Sequence, residues 1–146
     1  MSVQQLDRGT RVFNVIVKRL SRLGISAFGA KELVVTGRKS GKPHSTPVNP
    51  VRVDGQLYLV APRGQTQWVR NVRHDPRITL RSGRSEASYT AHEVLGDSAV
   101  PVMRRYMERW AWEVGRFFPE GVSAKSTDAE LAAVTADHPV FRLAEA

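Results

Sequence analysis

Short β-prone segments separated by turn residues are the feature of this chain that most constrains its fold. Between residues 31 and 94, apolar and β-branched residues come in short runs, which is typical of strands. Glycines and prolines separate these runs, and Asp54-Gly55 has the sequence of a two-residue hairpin turn. Strands joined by tight turns pair in antiparallel fashion, so the sequence predicts an antiparallel sheet of about six strands.

Helical segments flank these strands. Thr66 is a suitable N-cap for a helix over 67–74, and Asp75-Pro76 should end that helix because the residue before proline disfavours α geometry. Further helices are expected over 98–117 and near 128–134. The elements together predict a mainly β fold with flanking helices (α+β), arranged as a small β-barrel with helical additions. The predicted strands are 32–36, 45–53, 56–61, 78–80, 86–94 and 139–143.

Two details refine this prediction. Pro47 and Pro50 lack the N–H group that a central strand would use, so residues 45–53 should form an edge or bulged strand. The helix over 98–117 should present one apolar face, which carries Val102, Tyr106, Trp110 and Val114.

Residues 3–23 have the periodicity of an amphipathic helix. Its apolar face would carry Leu6, Phe13, Ile16, Val17, Leu20 and Leu23, and its basic face Arg8, Arg11, Lys18, Arg19 and Arg22. Two interpretations remain open at this point. The helix either packs on the core with its basic face in solvent, or also touches an acidic membrane.

The composition limits the class of protein. Residues 1–146 should form one domain, and the absence of cysteine excludes disulfides and thiolate chemistry. Neither a signal-peptide pattern nor a spanning apolar run is present, so we expect a cytoplasmic protein, with peripheral contact to the inner face of the cell membrane left open. The formal net charge of +8 indicates an anionic partner or simply a basic surface.

The cations concentrate in a turn that separates two β-prone segments. Residues 36–47 combine Arg38, Lys39 and Lys42 with two glycines and several hydroxyl groups. Glycine allows close approach of the backbone to a ligand, and the cations suit an anionic, phosphate-bearing ligand. The spacing is not that of a P-loop, since Pro43 stands where that motif needs Ser or Thr. No aromatic–basic stripe follows a strand, so nucleic acid is not expected as a partner.

Side chains for unassisted catalysis are not evident in the sequence. The four histidines are scattered without paired metal-ligand spacing, so no metal site is predicted. The sequence also lacks the Gly-x-Ser-x-Gly pattern of many serine hydrolases. An enzyme with this sequence would therefore need a cofactor to supply the reactive atom.

A second cluster of interest lies downstream. The Arg63-Gly64 turn offers a cation beside exposed N–H groups, and the first turn of the helix after Thr66 could donate N–H groups to an anion. Trp68 either stacks on a flat ring or fills the core. Asn71, on the same face as Trp68, is either an amide that contacts the ligand or simply a cap or surface residue.

These two clusters, in this order, resemble the deazaflavin-dependent nitroreductases, also described as quinone reductases, which use the 8-hydroxy-5-deazaflavin coenzyme F-420. The first motif matches from Thr36 to Gly41, and again at Pro43 and Pro47. The second motif matches at Ala61, Arg63, Gly64, Trp68 and Asn71. Two departures are His44, where the family often has Arg, and Pro62, where it often has a hydroxyl residue.

The resemblance implies a split β-barrel of the FMN-binding-like type that binds the reduced deazaflavin. It implies that the turn after the first strand holds the phosphate and the polyglutamate tail, and that the second cluster completes the site. The residues assigned to the cofactor on this basis are Arg38, Lys39, Ser40, Gly41, His44, Thr46, Pro47, Ala61, Arg63, Gly64, Trp68 and Asn71.

The activity implied is hydride transfer from reduced F-420 to a small, apolar, electron-poor acceptor such as a quinone, an enone or a nitroaromatic. Tyr58 and Tyr106 are candidates for a proton relay or for the substrate wall. Residues 96–137 do not match the family closely, and in place of a tyrosine-rich substrate wall they carry Tyr106, Trp110, Trp112, Phe117 and Phe118. The alternatives are an FMN- or haem-binding split barrel and a deazaflavin carrier without turnover.

Overall fold

The computed structural model describes residues 31–146, and the predicted N-terminal amphipathic helix lies outside these residues. Seven strands and three α-helices form within the described range. The strands are β1 (Lys31–Thr36), β2 (Pro43–Val48), β3 (Val51–Val53), β4 (Gln56–Val60), β5 (Arg77–Ser82), β6 (Ser85–Val94) and β7 (Val140–Glu145). The helices are α1 (Gln67–His74), α2 (Val100–Val114) and α3 (Asp128–Asp137), and 3-10 turns at Gly96–Ala99 and Gly115–Phe117 flank α2.

All seven strands belong to one antiparallel sheet with the order β2-β1-β5-β6-β7-β4-β3. The two edge strands, β2 and β3, follow one another in the chain and are separated only by Asn49 and Pro50. A link this short holds the facing ends of the edge strands within about 11 Å, so the sheet must curl. The predicted mainly β fold with flanking helices is confirmed.

The prediction of a single strand over 45–53 is wrong. The segment divides at Asn49-Pro50 into two strands at opposite ends of the sheet order. Pro50 has no N–H to donate to a ladder, and its ring restricts Asn49 as well. Pro47 lies in an edge strand, as expected, but Pro50 lies in the link between two edge strands.

Local turn and helix signals were reliable. Asp54 and Gly55 both have positive φ, 51° and 77°, as a two-residue hairpin turn of type I′ requires. Helix α1 covers the predicted residues and ends where Asp75 is extended before Pro76. Thr66 occupies the N-cap position, as predicted, although its hydroxyl makes no capping bond. Helix α3 begins with a capping box between Thr127 and Glu130.

Two apolar cores occupy the two faces of the curled sheet. One lies beneath α1 and includes Leu33, Leu59 and Val69. The other lies beneath α2 and α3 and contains the whole predicted face of α2, from Val102 to Val114. None of the helices within residues 31–146 is long and apolar enough to cross a membrane.

Candidate functional site

A cavity of about 770 Å³ opens beside the gap between the two edge strands. Its wall is built from the turn after β1, strand β2 and its exit, the loop after β4, the start of α1, one side of α2, and the 3-10 turn that follows α2. The predicted site residues that line it are Arg38, Lys39, Ser40, His44, Thr46, Pro47, Arg63, Trp68, Asn71 and Tyr106. The predicted residues Gly41, Ala61, Gly64 and Tyr58 do not line it.

The turn after β1 is closed by its own backbone. Gly41 N donates to Gly37 O at 2.8 Å, and Gly37 N donates to Lys42 O at the same distance. A Cβ on Gly37 would lie 2.5 Å from His44 Nε2, so a side chain at this position would displace the His44 ring. The turn leaves Lys39 and Ser40 exposed at the cavity wall, where they are available to an anion.

Asn71 ties this turn to helix α1. Its side chain is buried, and its Oδ1 accepts from Arg38 N at 3.0 Å and from Arg38 Nη1 at 2.8 Å. The amide therefore fixes both the backbone and the guanidinium of Arg38. Because Asn71 is neutral, Arg38 keeps its full charge for a ligand.

The second turn is held by the chain segment that enters β7. Ala61 N donates to Pro139 O at 2.9 Å, and the buried His138 bonds Pro62 O through Nδ1 at 2.8 Å. Since a carbonyl oxygen only accepts, Nδ1 must carry the proton. Sequence reasoning missed this role of His138, since the two residues are far apart in the chain.

Gly64 is required by both conformation and space. Its φ is 83°, and a Cβ at this position would lie 2.8 Å from Asp137 O. Left-handed backbone disfavours other residues, and the close carbonyl excludes a side chain independently. Gly64 thus shapes the turn that presents Arg63 without itself lining the cavity.

The start of helix α1 contributes an unpaired polar group to the wall. Thr66 Oγ1 is buried and has no hydrogen-bond partner within the described part of the chain, although Thr66 lines the cavity. Buried hydroxyl groups normally have a partner. A ligand that accepts from, or donates to, this hydroxyl would satisfy it.

Two guanidinium groups share one aromatic ring at the cavity wall. Arg63 Cζ lies 4.7 Å and Arg116 Cζ 4.6 Å from the centre of the Phe117 ring. The Arg63 contact joins the loop after β4 to the 3-10 turn that follows α2, whereas the Arg116 contact lies within that turn; such cation–π contacts are favourable. Arg116 was missed by sequence reasoning, and it adds a cation to those of Arg38, Lys39 and Arg63 on the wall.

The aromatic residues divide between core and cavity. Of the predicted wall residues, Tyr106 and Phe117 line the cavity, whereas Trp110 and Phe118 are buried in the core and Trp112 is 72% exposed. Trp68 serves both purposes, because it lines the cavity while its ring packs 5.7 Å from that of Phe141.

The two predicted tyrosines lie in different surroundings. Tyr58 packs against the core beneath α2, away from the cavity wall. Burial, and then the charge of Glu113, raise the pKa of Tyr106 well above its ordinary value. Tyr106, which lines the cavity, therefore stays protonated and neutral throughout the neutral range.

His44 lies partly buried over the turn after β1. Its Nε2 is 3.3 Å from Ser40 Oγ, and burial together with the nearby charge of Arg38 lowers its pKa below the ordinary value of 6.5. His44 is therefore neutral at pH 7. Within residues 31–146, no three His, Asp or Glu side chains gather closely enough to hold a metal ion.

Comparisons with known proteins agree on fold and family. The model of a family described as F420H(2)-dependent quinone reductase matches residues 12–134. A solved structure described as an F420-H2 dependent reductase (FDR-A) is 21% identical, covers 79% of this chain and 93% of its own, and superposes with a TM-score of 0.54.

Two further solved structures have the same fold at lower identity. An FAD-binding protein from Mesorhizobium loti is 15% identical, covering 86% of this chain and 87% of its own, with a TM-score of 0.52. The heme storage protein HutZ from Vibrio cholerae is 14% identical, covering 85% and 89%, with a TM-score of 0.55. The predicted split-barrel, FMN-binding-like fold is confirmed.

Replacing Asn71 with Ala should destabilise the protein. The change leaves the backbone N–H of Arg38 without its acceptor, which should lower the free energy of unfolding by about 1–3 kcal/mol. Urea denaturation followed by circular dichroism measures the loss. Gln67→Ala, on the exposed side of the same helix, should cost much less, and equal losses in the two variants would contradict the role given to Asn71.

Gly64→Ala should destabilise the protein more than Gly121→Ala. Both glycines have a φ of 83°, but only Gly64 faces a backbone atom, while nothing lies within 4 Å of a Cβ at Gly121. Left-handed strain of about 1–2 kcal/mol is common to both, and the clash should add about 1–3 kcal/mol at Gly64. Thermal and urea unfolding of the two variants would show the difference, and similar values would argue against the clash.

Proposed function

This chain belongs to the F420H(2)-dependent quinone reductase family and is a reductase that depends on F-420, and we propose that it transfers a hydride from the reduced cofactor to a small, apolar, electron-poor acceptor, with a quinone as the first candidate. One observation carries the proposal. A single cavity combines the cations of two glycine-bearing turns with an aromatic and aliphatic wall that includes Trp68, Val114 and Phe117.

The residues present fit an anionic cofactor with a flat ring. Arg38, Lys39, Arg63 and Arg116 line the cavity, and we assign them to the phosphate and carboxylate groups, since charge-assisted bonds to such groups are strong. The orphaned hydroxyl of Thr66 supports a polar ligand at the start of α1. Trp68 is assigned to the side of the ring, because its face is large and its position is fixed by Phe141.

When bound, the reduced deazaflavin supplies the hydride. The protein's own contribution is then to hold the reactants together and to keep water away from them. Asn71 fixes Arg38, and the closed turn after β1 fixes Lys39 and Ser40. The contact of Arg63 with Phe117 joins the loop after β4 to the 3-10 turn that follows α2, so we propose that it holds this part of the wall closed around the acceptor.

Tyr106 orients the acceptor and does not supply its proton in this proposal. Its raised pKa makes it a hydrogen-bond donor that stays protonated at neutral pH, which suits an acceptor carbonyl oxygen but makes the phenol a poor acid. The proton that follows the hydride therefore comes from water. Tyr58 has no part in the proposal, because it does not line the cavity.

The described residues support one further proposal about organisation. They share a single seven-stranded sheet with a core on each face, and we propose that the chain forms one domain.

The function is tested by titrating the protein with oxidised F-420 and, separately, with FMN while ligand fluorescence is recorded. We expect the deazaflavin to bind more tightly, because its tail carries more negative charge for the cations to bind. Reduced cofactor is then mixed with a quinone, an enone or a nitroaromatic, and its oxidation is followed by absorbance. Tighter FMN binding would favour the flavin alternative, and binding without oxidation of the cofactor would favour a carrier.

Lys39→Ala should weaken F-420 binding by about 1.5–3 kcal/mol, because it removes a charge-assisted hydrogen bond. Lys125→Ala is a matched control, since it removes the same charge from the exposed loop before α3. The same titration at moderate salt measures both variants. If Lys39→Ala bound the cofactor as tightly as the Lys125 variant, the assignment of Lys39 would be wrong.

His44 should make cofactor affinity depend on pH. Its pKa is lowered from 6.5, so the ring should gain its charge, and attract the cofactor tail, only as the pH falls below about 6.5. His44→Arg carries a charge at all pH values, and should bind more tightly near neutrality with a flatter profile. Titrations from pH 7.5 to 5 compare the two proteins, and parallel profiles would show that His44 does not face the tail.

A further inference from the structure

Glu113 is the sole carboxylate among the described residues that line the cavity. It lies on α2 seven residues after Tyr106, a spacing of two helical turns, and both residues therefore share the face that meets the cavity. The other charged groups on the described wall are the four cations, Arg38, Lys39, Arg63 and Arg116, and the titratable ring of His44.

The carboxylate of Glu113 is held at the gap between the edge strands. Asn49 Nδ2 donates to Glu113 Oε2 at 3.1 Å, and Asn49 occupies the link between β2 and β3. Pro50 restricts the backbone of Asn49, while Val48 on its other side is buried. The donor is thus attached to a stiff part of the chain.

The partner of this carboxylate is neutral, which preserves its negative charge. A lysine or arginine in place of Asn49 would form an ion pair and cancel most of the field, whereas an amide donates a hydrogen bond and leaves the charge in place. That charge acts across the cavity wall, since it contributes to the raised pKa of Tyr106.

We infer that Glu113, positioned by Asn49, makes the cofactor-loaded cavity discriminate against anionic acceptors in favour of neutral ones. The inference rests on the proposed function. In the empty cavity the four cations attract any anion, but the phosphate and carboxylates of a bound cofactor neutralise them. The charge of Glu113 then remains to repel an acceptor that carries a carboxylate or a sulfonate.

The size of the effect follows from the position of Glu113. The residue is exposed at the cavity wall, so its field is weakened by water. Two unit charges some 6 Å apart in such surroundings repel each other enough to change affinity about three- to tenfold. Salt should weaken the discrimination further.

Equilibrium dialysis of the protein loaded with oxidised F-420 tests the inference without turnover. The probes are 1,4-naphthoquinone and its permanently anionic 2-sulfonate. Glu113→Gln should raise the affinity for the sulfonate, relative to the neutral quinone, about three- to tenfold over wild type. The difference in this affinity ratio between Glu113→Gln and wild type should shrink as sodium chloride is added. Asn49→Ala, which frees the carboxylate, should raise the ratio in the same direction but by less.

Glu108→Gln is the matched control, because Glu108 is exposed on the same helix but lines a different hollow. An unchanged affinity ratio in Glu113→Gln, or an equal change in Glu108→Gln, would overturn the inference. An Asn49→Ala ratio equal to that of wild type would overturn the role of Asn49. Oxidation of reduced F-420 by the neutral quinone is measured in parallel, so a failure of the proposed function would appear there and not in the binding ratios.

Discussion

The two-residue link between the edge strands determines the shape of this protein. At Asn49-Pro50 the chain passes directly from one edge of the sheet to the other, and a ladder between β2 and β3 would complete a barrel. Pro47 has no N–H to donate to such a ladder, and Pro50 lies in the link between the two strands, where it restricts Asn49. The sheet therefore curls without closing, and the gap becomes one side of the cavity.

A second constraint concerns how the cavity keeps its charges. The ion pairs found in the described part of the chain, such as Arg73 with Glu93 and Arg104 with Asp128, involve no residue of the cavity wall. At the cavity wall, charged side chains are instead held by hydrogen bonds with neutral amide side chains. Asn71 fixes Arg38, and Asn49 fixes Glu113. Neutral partners fix the geometry without cancelling the charge that a ligand would meet.

Sequence alone predicted the features that depend on neighbouring residues. The bounds of α1, the hairpin at Asp54-Gly55 and the buried face of α2 all follow from local patterns. Prediction from the sequence failed where contacts join segments that are distant in the chain. Pro50 marks a break in residues 45–53, but no local signal places the two halves at opposite edges of the sheet, pairs His138 with Pro62, or brings Arg63 to the ring of Phe117.

The position of β7 has a consequence for biosynthesis. This strand comes last in the described chain but lies between β6 and β4, so without it the sheet would consist of two separate pieces. Pairing β7 with β4 joins residues such as Val60 and Val140, and contacts this distant in sequence form slowly. Both cores therefore stay incomplete until β7 has emerged from the ribosome. During that interval strand edges are exposed and unpaired, and chaperones would be needed there.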